Sequence, residues 1–491
     1  MFGVFTYPWS DWLYSGIYTG FILTIIFTII VVVLENRNPV KSLAWIVVLV
    51  FIPIGGFIFY LFFGQQYRHT RMISKRKRRI LQRMSDNTTH LSVLEPGNKL
   101  SPESRQQIEL GYRLGGTKLF ARNQIEIFTD GKSKFDALIE ELQKATRFIH
   151  LQYYIFDNDT LGKTIKDILI EKVRQGVKVR VLYDDVGCWR VRSKFFKSMR
   201  KAGIEIRPFF KVSFPQLANK LNYRNHRKVA IIDGKTGFIG GMNIADYYIN
   251  GLPKIGKWHD MHIHLEGDAV RYLQGIFLTM WNRETGQHVG GPAYFPDTQQ
   301  LPDSIAEEIA IVDRTPRETP RSISHAYAAS IQAAQKSIRI VNPYFVPTKS
   351  IRKAIKNALK KGTEVEIMIP AVSDIAFTPD ASFYIAHKLM KKGAKIYLFN
   401  GGFHHSKIMM VDSTFCTVGT ANLNSRSLRY DYETNAFIFD PKTTNELNAM
   451  FERDVQNSTL LTPEVWKKRS GWKKFVGWVG NLMTCLLYTS D

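Results

Sequence analysis

The sequence predicts an α/β protein in which two repeated domains, each a mixed sheet flanked by helices, follow an N-terminal two-helix transmembrane hairpin. Three observations predict it: two long uncharged segments near the start, strands alternating with helices from residue 119 onward, and a set of landmarks that occurs twice. A chain of 491 residues has room for several domains, each able to bury its own core.

The hairpin rests on residues 12–34 and 42–67. Neither segment contains Asp, Glu, Lys or Arg, both are dominated by Ile, Val, Leu and Phe, and each is long enough to span a bilayer. No Lys or Arg precedes Arg37, which argues against a cleaved signal peptide. Only Glu35 to Lys41 separates the segments, whereas Arg68 to Arg83 holds eight Lys or Arg; the positive-inside rule then puts the bulk of the chain on the cytoplasmic side of the cell membrane, as a multi-pass protein. Pro53 and Gly55-Gly56 leave a kinked or re-entrant second span open. The basic run reads as a stop-transfer flank and also as a clamp for anionic headgroups.

Residues 68–118 form a basic juxtamembrane segment and linker, with the turn signals Pro96-Gly97 and Ser101-Pro102. The first α/β domain is expected over 119–290. Gln124 to Thr129 reads as a strand, Phe135 to Ala145 as an amphipathic helix, and Arg147 to Phe156 as a strand rich in β-branched and aromatic residues. The second domain is expected over 291–461. Ile338 to Tyr344 matches Ile149 to Tyr154 as a central strand, and Lys360-Lys361-Gly362 matches Arg174-Gln175-Gly176 as a glycine-ended helix before a strand. A Gly-, Pro- and Asp-rich spacer from Gln287 to Ser304 is the boundary between them. In the tail, 462–491, Trp466 to Leu487 mixes lysines with Trp472, Phe475 and Trp478, which fits a membrane-surface helix or a helix packed on the second domain.

The net charge of +24, from 67 basic against 43 acidic residues, implies attraction to a polyanion, either nucleic acid or an anionic lipid surface. Three scattered cysteines, Cys188, Cys416 and Cys485, give neither a disulfide framework nor metal-ligand spacing.

The chemistry resides in a doubled motif. The first half reads His226-Arg-Lys228 with Asp233, then Gly240 and Asn243; the second reads His405-Ser-Lys407 with Asp412, then Gly419 and Asn422. In each half the Gly lies seven positions after the Asp and the Asn ten. Strand alternation puts His and Lys of each motif on one sheet face. If the halves pack face to face, two imidazoles, two ammonium groups and two carboxamides converge, a set suited to a phosphate diester: one His attacks phosphorus, the other protonates the leaving alkoxide, and the cations hold the non-bridging oxygens. Neither half contains both roles.

This doubled HxKxxxxD pattern with its downstream GxxN resembles the phospholipase D superfamily over roughly residues 117–461, and the hairpin with Asn38 to Ile46 entering its second span resembles the bacterial cardiolipin synthases. The resemblance implies transfer of a phosphatidyl group from one phosphatidylglycerol to another with release of glycerol, through a phosphatidyl-histidine intermediate. It implies no metal and no other cofactor, and partners that are phosphatidylglycerol and anionic membrane lipids, with no nucleic acid expected. By the same resemblance His226 is the nucleophile and His405 the general acid and then base, with the reverse assignment open. Lys228, Lys407, Asn243 and Asn422 bind phosphate; Asp233 and Asp412 complete the two catalytic motifs but are structural and lie outside the pocket. The family also places a carboxylate after each motif to orient its histidine, which selects Glu433 in the second half and Asp260 in the first. Gly241 and Thr420 stand where the family usually has Ser, so Gly241 removes one hydroxyl while Thr420 keeps one. A hydrolase acting through the same intermediate is an alternative, followed by a membrane-bound nuclease. His259, His262 and His264 form no convincing metal set, and His404 points to the face opposite His405.

Overall fold

The computed structural model describes residues 8–35, 45–49, 51–52, 55–56, 119–211, 223–297, 307–375 and 378–488. Near the N-terminus, helix α1 runs Pro8–Glu35 and exposes large apolar side chains, among them Trp12, Ile17, Tyr18, Leu23 and Phe27. Among the described residues no helix is long and apolar enough to cross a membrane. Of the two segments expected to form a hairpin, 12–34 lies within α1, and of 42–67 only a few short stretches are described; the rest lies outside the described residues. So do the basic run from Arg68 to Arg83, the rest of the expected linker, residues 212–222, the end of the 287–304 spacer and the last three residues.

The first half of the α/β unit comprises β1 (Leu119–Phe128), α2 (Gly131–Lys144), β2 (Phe148–Tyr153), α3 (Thr160–Arg174), β3 (Lys178–Asp184), α4 (Ser193–Lys201), β4 (Glu205–Phe209), β5 (Val229–Ile232), β6 (Thr236–Gly240), α5 (Tyr247–Asn250), β7 (Trp258–His259), β8 (His262–Gly267) and α6 (Asp268–Thr285). The second comprises β9 (Glu307–Arg314), α7 (Ser322–Ala333), β10 (Ser337–Val341), α8 (Lys349–Lys360), β11 (Glu364–Pro370), α9 (Thr378–Met390), β12 (Lys395–Phe399), β13 (Phe403–His404), β14 (Ile408–Val411), β15 (Phe415–Gly419), α10 (Ser425–Arg429), β16 (Glu433–Phe439) and α11 (Pro441–Gln456). The short strand β17 (Ser458–Leu460) and helices α12 (Pro463–Lys468) and α13 (Gly471–Tyr488) follow.

Three of the helices begin where an Asp side chain caps them: Asp130 accepts from Ser133 N at α2, Asp159 from Gly162 N at α3 and Asp440 from Thr443 N at α11. α3 and α8 stop before Gly176 and Gly362, whose φ values of +89° and +88° favour glycine.

Strand order displays the repeat. One continuous sheet runs β17-β12-β11-β10-β14-β15-β16-β9-β1-β8-β6-β5-β2-β3-β4. Inward from β4 and from β12, parallel strands (β4-β3-β2 and β12-β11-β10) give way to antiparallel ones (β5-β6-β8-β1 and β14-β15-β16-β9), and β17 adds to the outer edge of β12 antiparallel. The halves join where β1 pairs with β9, Leu119 opposite Ala310 and Asn123 opposite Glu307. Strand β1 thus starts five residues before the expected Gln124, because its first part pairs across the halves.

Three apolar clusters account for the layers. One lies under α2, α3 and α4 of the first half and one under α7, α8 and α9 of the second. The third, with Ile231, Ile263, Phe277 and Trp281 from one half and Ile311, Met410, Ile438 and Phe451 from the other, is shared between the halves. A buried ion pair crosses them as well: Arg227, between the two motif residues, donates from Nη2 to both Asp313 carboxylate oxygens at 2.7 Å and from Nε to Thr434 Oγ1 at 2.8 Å.

Candidate active site

Both motifs start just ahead of a short buried strand. Val229–Ile232 and Ile408–Val411 are β5 and β14, flanked in the sheet by β2 and β6 and by β10 and β15. At their far ends the chain turns through Asp233 and Asp412, which hold φ of +54° and +52°. Asp233 accepts from the backbone N of Thr146, Arg147 and Phe148, each at 2.8 Å. Asp412 accepts from Gln335, Lys336 and Ser337 N at 2.7 to 2.8 Å. Each carboxylate therefore fastens the motif turn to the start of a central strand and has no contact with the histidines.

At the near ends, the residues before each histidine pair with the opposite half. Asn225 bridges Tyr432, and His226 N donates to Tyr432 O at 3.0 Å. Strand β13 pairs in parallel with β7, Phe403 opposite Trp258, and His405 N donates to His259 O at 2.7 Å. Glu433 consequently sits beside His226, and Asp260 beside His405. His226 Nδ1 lies 3.1 Å from both Glu433 carboxylate oxygens and from Thr420 O. His405 Nδ1 lies 2.6 Å from Asp260 Oδ2.

This corrects the expectation that each carboxylate orients the histidine of its own half. The acids are exchanged, because the strands carrying them are paired across the halves. The difference in sequence spacing also disappears: Gly240 pairs with His262 and Gly419 with Asn435, so Asp260 and Glu433 each stand two residues before the partner of the motif glycine.

All acceptors around His226 face Nδ1, so Nδ1 carries a hydrogen and donates to them. Burial raises a carboxyl's pKa, yet Glu433 is held below the ordinary range by His226, Lys228 and the Thr420 hydroxyl, which donates to it at 2.5 Å. Asp260 is held low against the same burial by Lys407 and His405. Burial, reinforced by the Lys407 ammonium, pushes His405 down to about 4. Burial likewise lowers Lys228, to about 7, and Lys407.

The lysines fold back in the same way, Lys228 Nζ donating to His226 O at 2.6 Å and Lys407 Nζ to His405 O. Lys407 Nζ is also 2.7 Å from His405 Nδ1 and 3.3 Å from Asp260 Oδ2. Lys228 feels the charges of Glu433, Lys407 and Asp260, so the groups of both motifs form one electrostatic cluster.

The two asparagines are not equivalent. Asn243 Oδ1 accepts from Ile155 N at 3.0 Å and its Nδ2 donates to Tyr248 OH at 2.8 Å. Asn422 is buried, and its Oδ1 has no hydrogen-bond partner among the described residues. The residues in the usual Ser position differ too: the Thr420 hydroxyl serves Glu433, whereas a Cβ on Gly241 would lie 2.1 Å from Asp260 Oδ1. Gly241 is space for Asp260, not only a lost hydroxyl.

Sequence reasoning missed Arg227 with Asp313 and Thr434, and the aromatic rings of Tyr154, 5.1 Å from His226, and Trp258, 5.3 Å from His405. The aromatic content of those strands was the available signal. The discounted histidines go elsewhere: His404 Nε2 meets Asp454 at 3.0 Å, His264 lies 3.6 Å from Glu126, and His262 is buried. Among the described residues no three His, Cys, Asp or Glu are grouped to hold a metal ion.

Comparison with known proteins agrees with this architecture. The cardiolipin synthase phospholipase D-like domain family matches residues 138–277 and 327–455, and the phospholipase D-nuclease N-terminal family matches 22–65. A cardiolipin synthase of Halalkalibacterium halodurans is 35% identical over 98% of this chain and 95% of its own length. One of Listeria monocytogenes is 38% identical over 95% of this chain and 98% of its own. Among solved structures, the phosphatidylserine synthase of Haemophilus influenzae shares the fold, with a TM-score of 0.56 at 15% identity, over 78% of this chain and all of the other. With two family-matched halves, a doubled motif and relatives of this identity along nearly its whole length, the chain belongs to the cardiolipin synthase family of the phospholipase D superfamily.

Proposed function

We propose that this chain is a cardiolipin synthase: it transfers the phosphatidyl group of one phosphatidylglycerol to the free hydroxyl of a second, releasing glycerol. The observation that carries the reading is the exchanged pairing of each motif histidine with a buried carboxylate of the other half, which supplies two oriented imidazoles beside the two motif lysines in one cluster of charged groups.

In the proposed sequence His226 Nε2 attacks phosphorus, the bond from phosphorus to the glycerol oxygen breaks, and His405 gives that oxygen a proton. His405 then takes the proton of the incoming phosphatidylglycerol hydroxyl, whose oxygen attacks phosphorus and displaces His226. Lys228, Lys407 and Asn422 hold the non-bridging oxygens. A bound phosphodiester anion favours the charged forms that burial disfavours in Lys228, Lys407 and His405, so substrate completes the protonation of its own site. Asn243 serves the site by holding the chain after β2, and Asp233 and Asp412 brace the motif turns. The reverse histidine assignment has one observation in its favour, the depressed basicity of His405 beside Lys407, since attack requires a neutral imidazole.

The two expected N-terminal spans, the family match over 22–65 and the apolar surface of α1 support a membrane hairpin with the catalytic halves on the cytoplasmic side. Purified protein given phosphatidylglycerol alone tests the function. Cardiolipin with glycerol is expected; phosphatidic acid with glycerol would indicate the hydrolase, and no lipid turnover would refute both. Lipid phosphate trapped on His405 and absent from His226 would reverse the assignment.

A further inference from the structure

We propose that α9, α12 and α13 build a second anionic-phospholipid site that shares no residue with the catalytic cluster and docks this end of the catalytic unit on the membrane surface. The proposal does not depend on which reaction the cluster performs.

The site has an interior. A cavity of about 420 Å³ opens between these helices and the sheet edge, with Phe383, Leu398, Leu461 and Val465 as an apolar floor. Its rim carries Lys468, Arg469 and Lys473. An apolar trough with a cationic rim matches an amphiphile that joins an acyl chain to an anionic headgroup. Arg469 is pre-positioned for that role: its guanidinium lies 4.1 Å from the Phe383 ring centroid and donates from Nη2 to Asp380, while its buried Nε has no hydrogen-bond partner among the described residues.

The site also has an orientation. Gly477 sets α13 against the start of α9, where a Cβ would come within 2.4 Å of Asp380 O, and Gly480 lies over Ala381. That contact turns the other face of α13 outward. On it Trp472, Phe475 and Trp478 are 69%, 52% and 46% exposed, with ring centroids 5.8 and 6.0 Å apart in sequence. Three consecutive exposed aromatics beside Lys468, Lys473 and Lys474 fit the interfacial layer of a bilayer, where apolar rings enter and ammonium groups stay with phosphates. The chain's charge of +24 favours a polyanion, and the exposed rings beside the lysine rim select a bilayer among polyanions, which commits the proposal to lipid bilayers containing anionic headgroups.

The test uses the full chain with an environment-sensitive fluorophore at Trp478→Cys in a Cys485→Ser background, reconstituted as single copies in nanodiscs. Emission is expected to shift to the blue when phosphatidylglycerol is added to phosphatidylcholine discs, and soluble glycerol phosphate should leave it unchanged. Lys468→Gln with Lys473→Gln, both at exposed positions, should lower the docked-to-undocked ratio roughly thirtyfold, at about 1 kcal/mol per lysine near an anionic surface. Turnover should then need a higher surface fraction of phosphatidylglycerol, with kcat unchanged. Equal emission in both disc types, an unaltered double variant, a response to soluble glycerol phosphate, or a shift that appears only with two copies per disc would each overturn the proposal.

Discussion

Gly241 offers the sharpest test of how the active site is built. Adding a single methyl group, Gly241→Ala, would bring Cβ to 2.1 Å from Asp260 Oδ1, where an ordinary contact begins at 3.4 Å. The carboxylate must withdraw, since the alternative is to shift the β6 end paired to His262. Asp260 holds His405 Nδ1 at 2.6 Å and Lys407 Nζ at 3.3 Å, so its withdrawal loosens both. Losing one charge-assisted hydrogen bond costs about 1.5–3 kcal/mol, and a displacement near 1 Å in a catalytic constellation costs on the order of a hundredfold in rate. We expect kcat for glycerol release from phosphatidylglycerol to fall about a hundredfold, with far-ultraviolet circular dichroism unchanged. The decisive comparison is a double-mutant cycle: with Asp260 already replaced by Ala, the same methyl should cost almost nothing further. Wild-type activity in Gly241→Ala, or effects that add in the double variant, would refute the reasoning.

Asn422→Ala should lower kcat/KM by at least about tenfold with little change in thermal midpoint, whereas Asn243→Ala should lower the midpoint because Ile155 N and Tyr248 OH lose their partner; calorimetry beside kinetics separates them. Asp412→Ala leaves three backbone N–H groups without an acceptor and should destabilise by about 2–3 kcal/mol in denaturant melts. Stability should also fall with acidification. Burial holds His405 near 4 and His150 near 3, both below the usual 6.5, so the unfolded chain binds protons first. The loss should begin as pH drops through about 6.5 and continue to the folded values, and His150→Phe should flatten the slope of thermal midpoint against pH.

Much of this arrangement could be read along the chain, because it depends on local periodicity. Val229 to Ile232 and Ile408 to Val411 are strands with a polar near end, as their alternation requires, and the glycines at 176 and 362 end helices in both halves. What could not be read depends on partners distant in sequence. The pairing of Leu119 with Ala310 lengthens β1 beyond its apolar pattern. The exchange of Asp260 and Glu433 follows from β7 meeting β13 and Asn225 meeting Tyr432, for which the chain carries no local mark. Asn243 and Asn422 occupy identical positions in their motifs, and only the tertiary surroundings distinguish an amide with both ends engaged from one with an open oxygen.

The exchanged acids also bear on how two fused copies drift apart. A substitution near Asp260 is felt by His405, and one near Glu433 by His226, so damage in one copy is recorded as a fault in the other. Adjustments must nevertheless be made locally, as glycine beside the shorter acid and threonine beside the longer one. Each copy can therefore diverge in how it seats its carboxylate while remaining answerable to its sibling's histidine, a constraint that neither copy would feel if it were a self-sufficient catalyst.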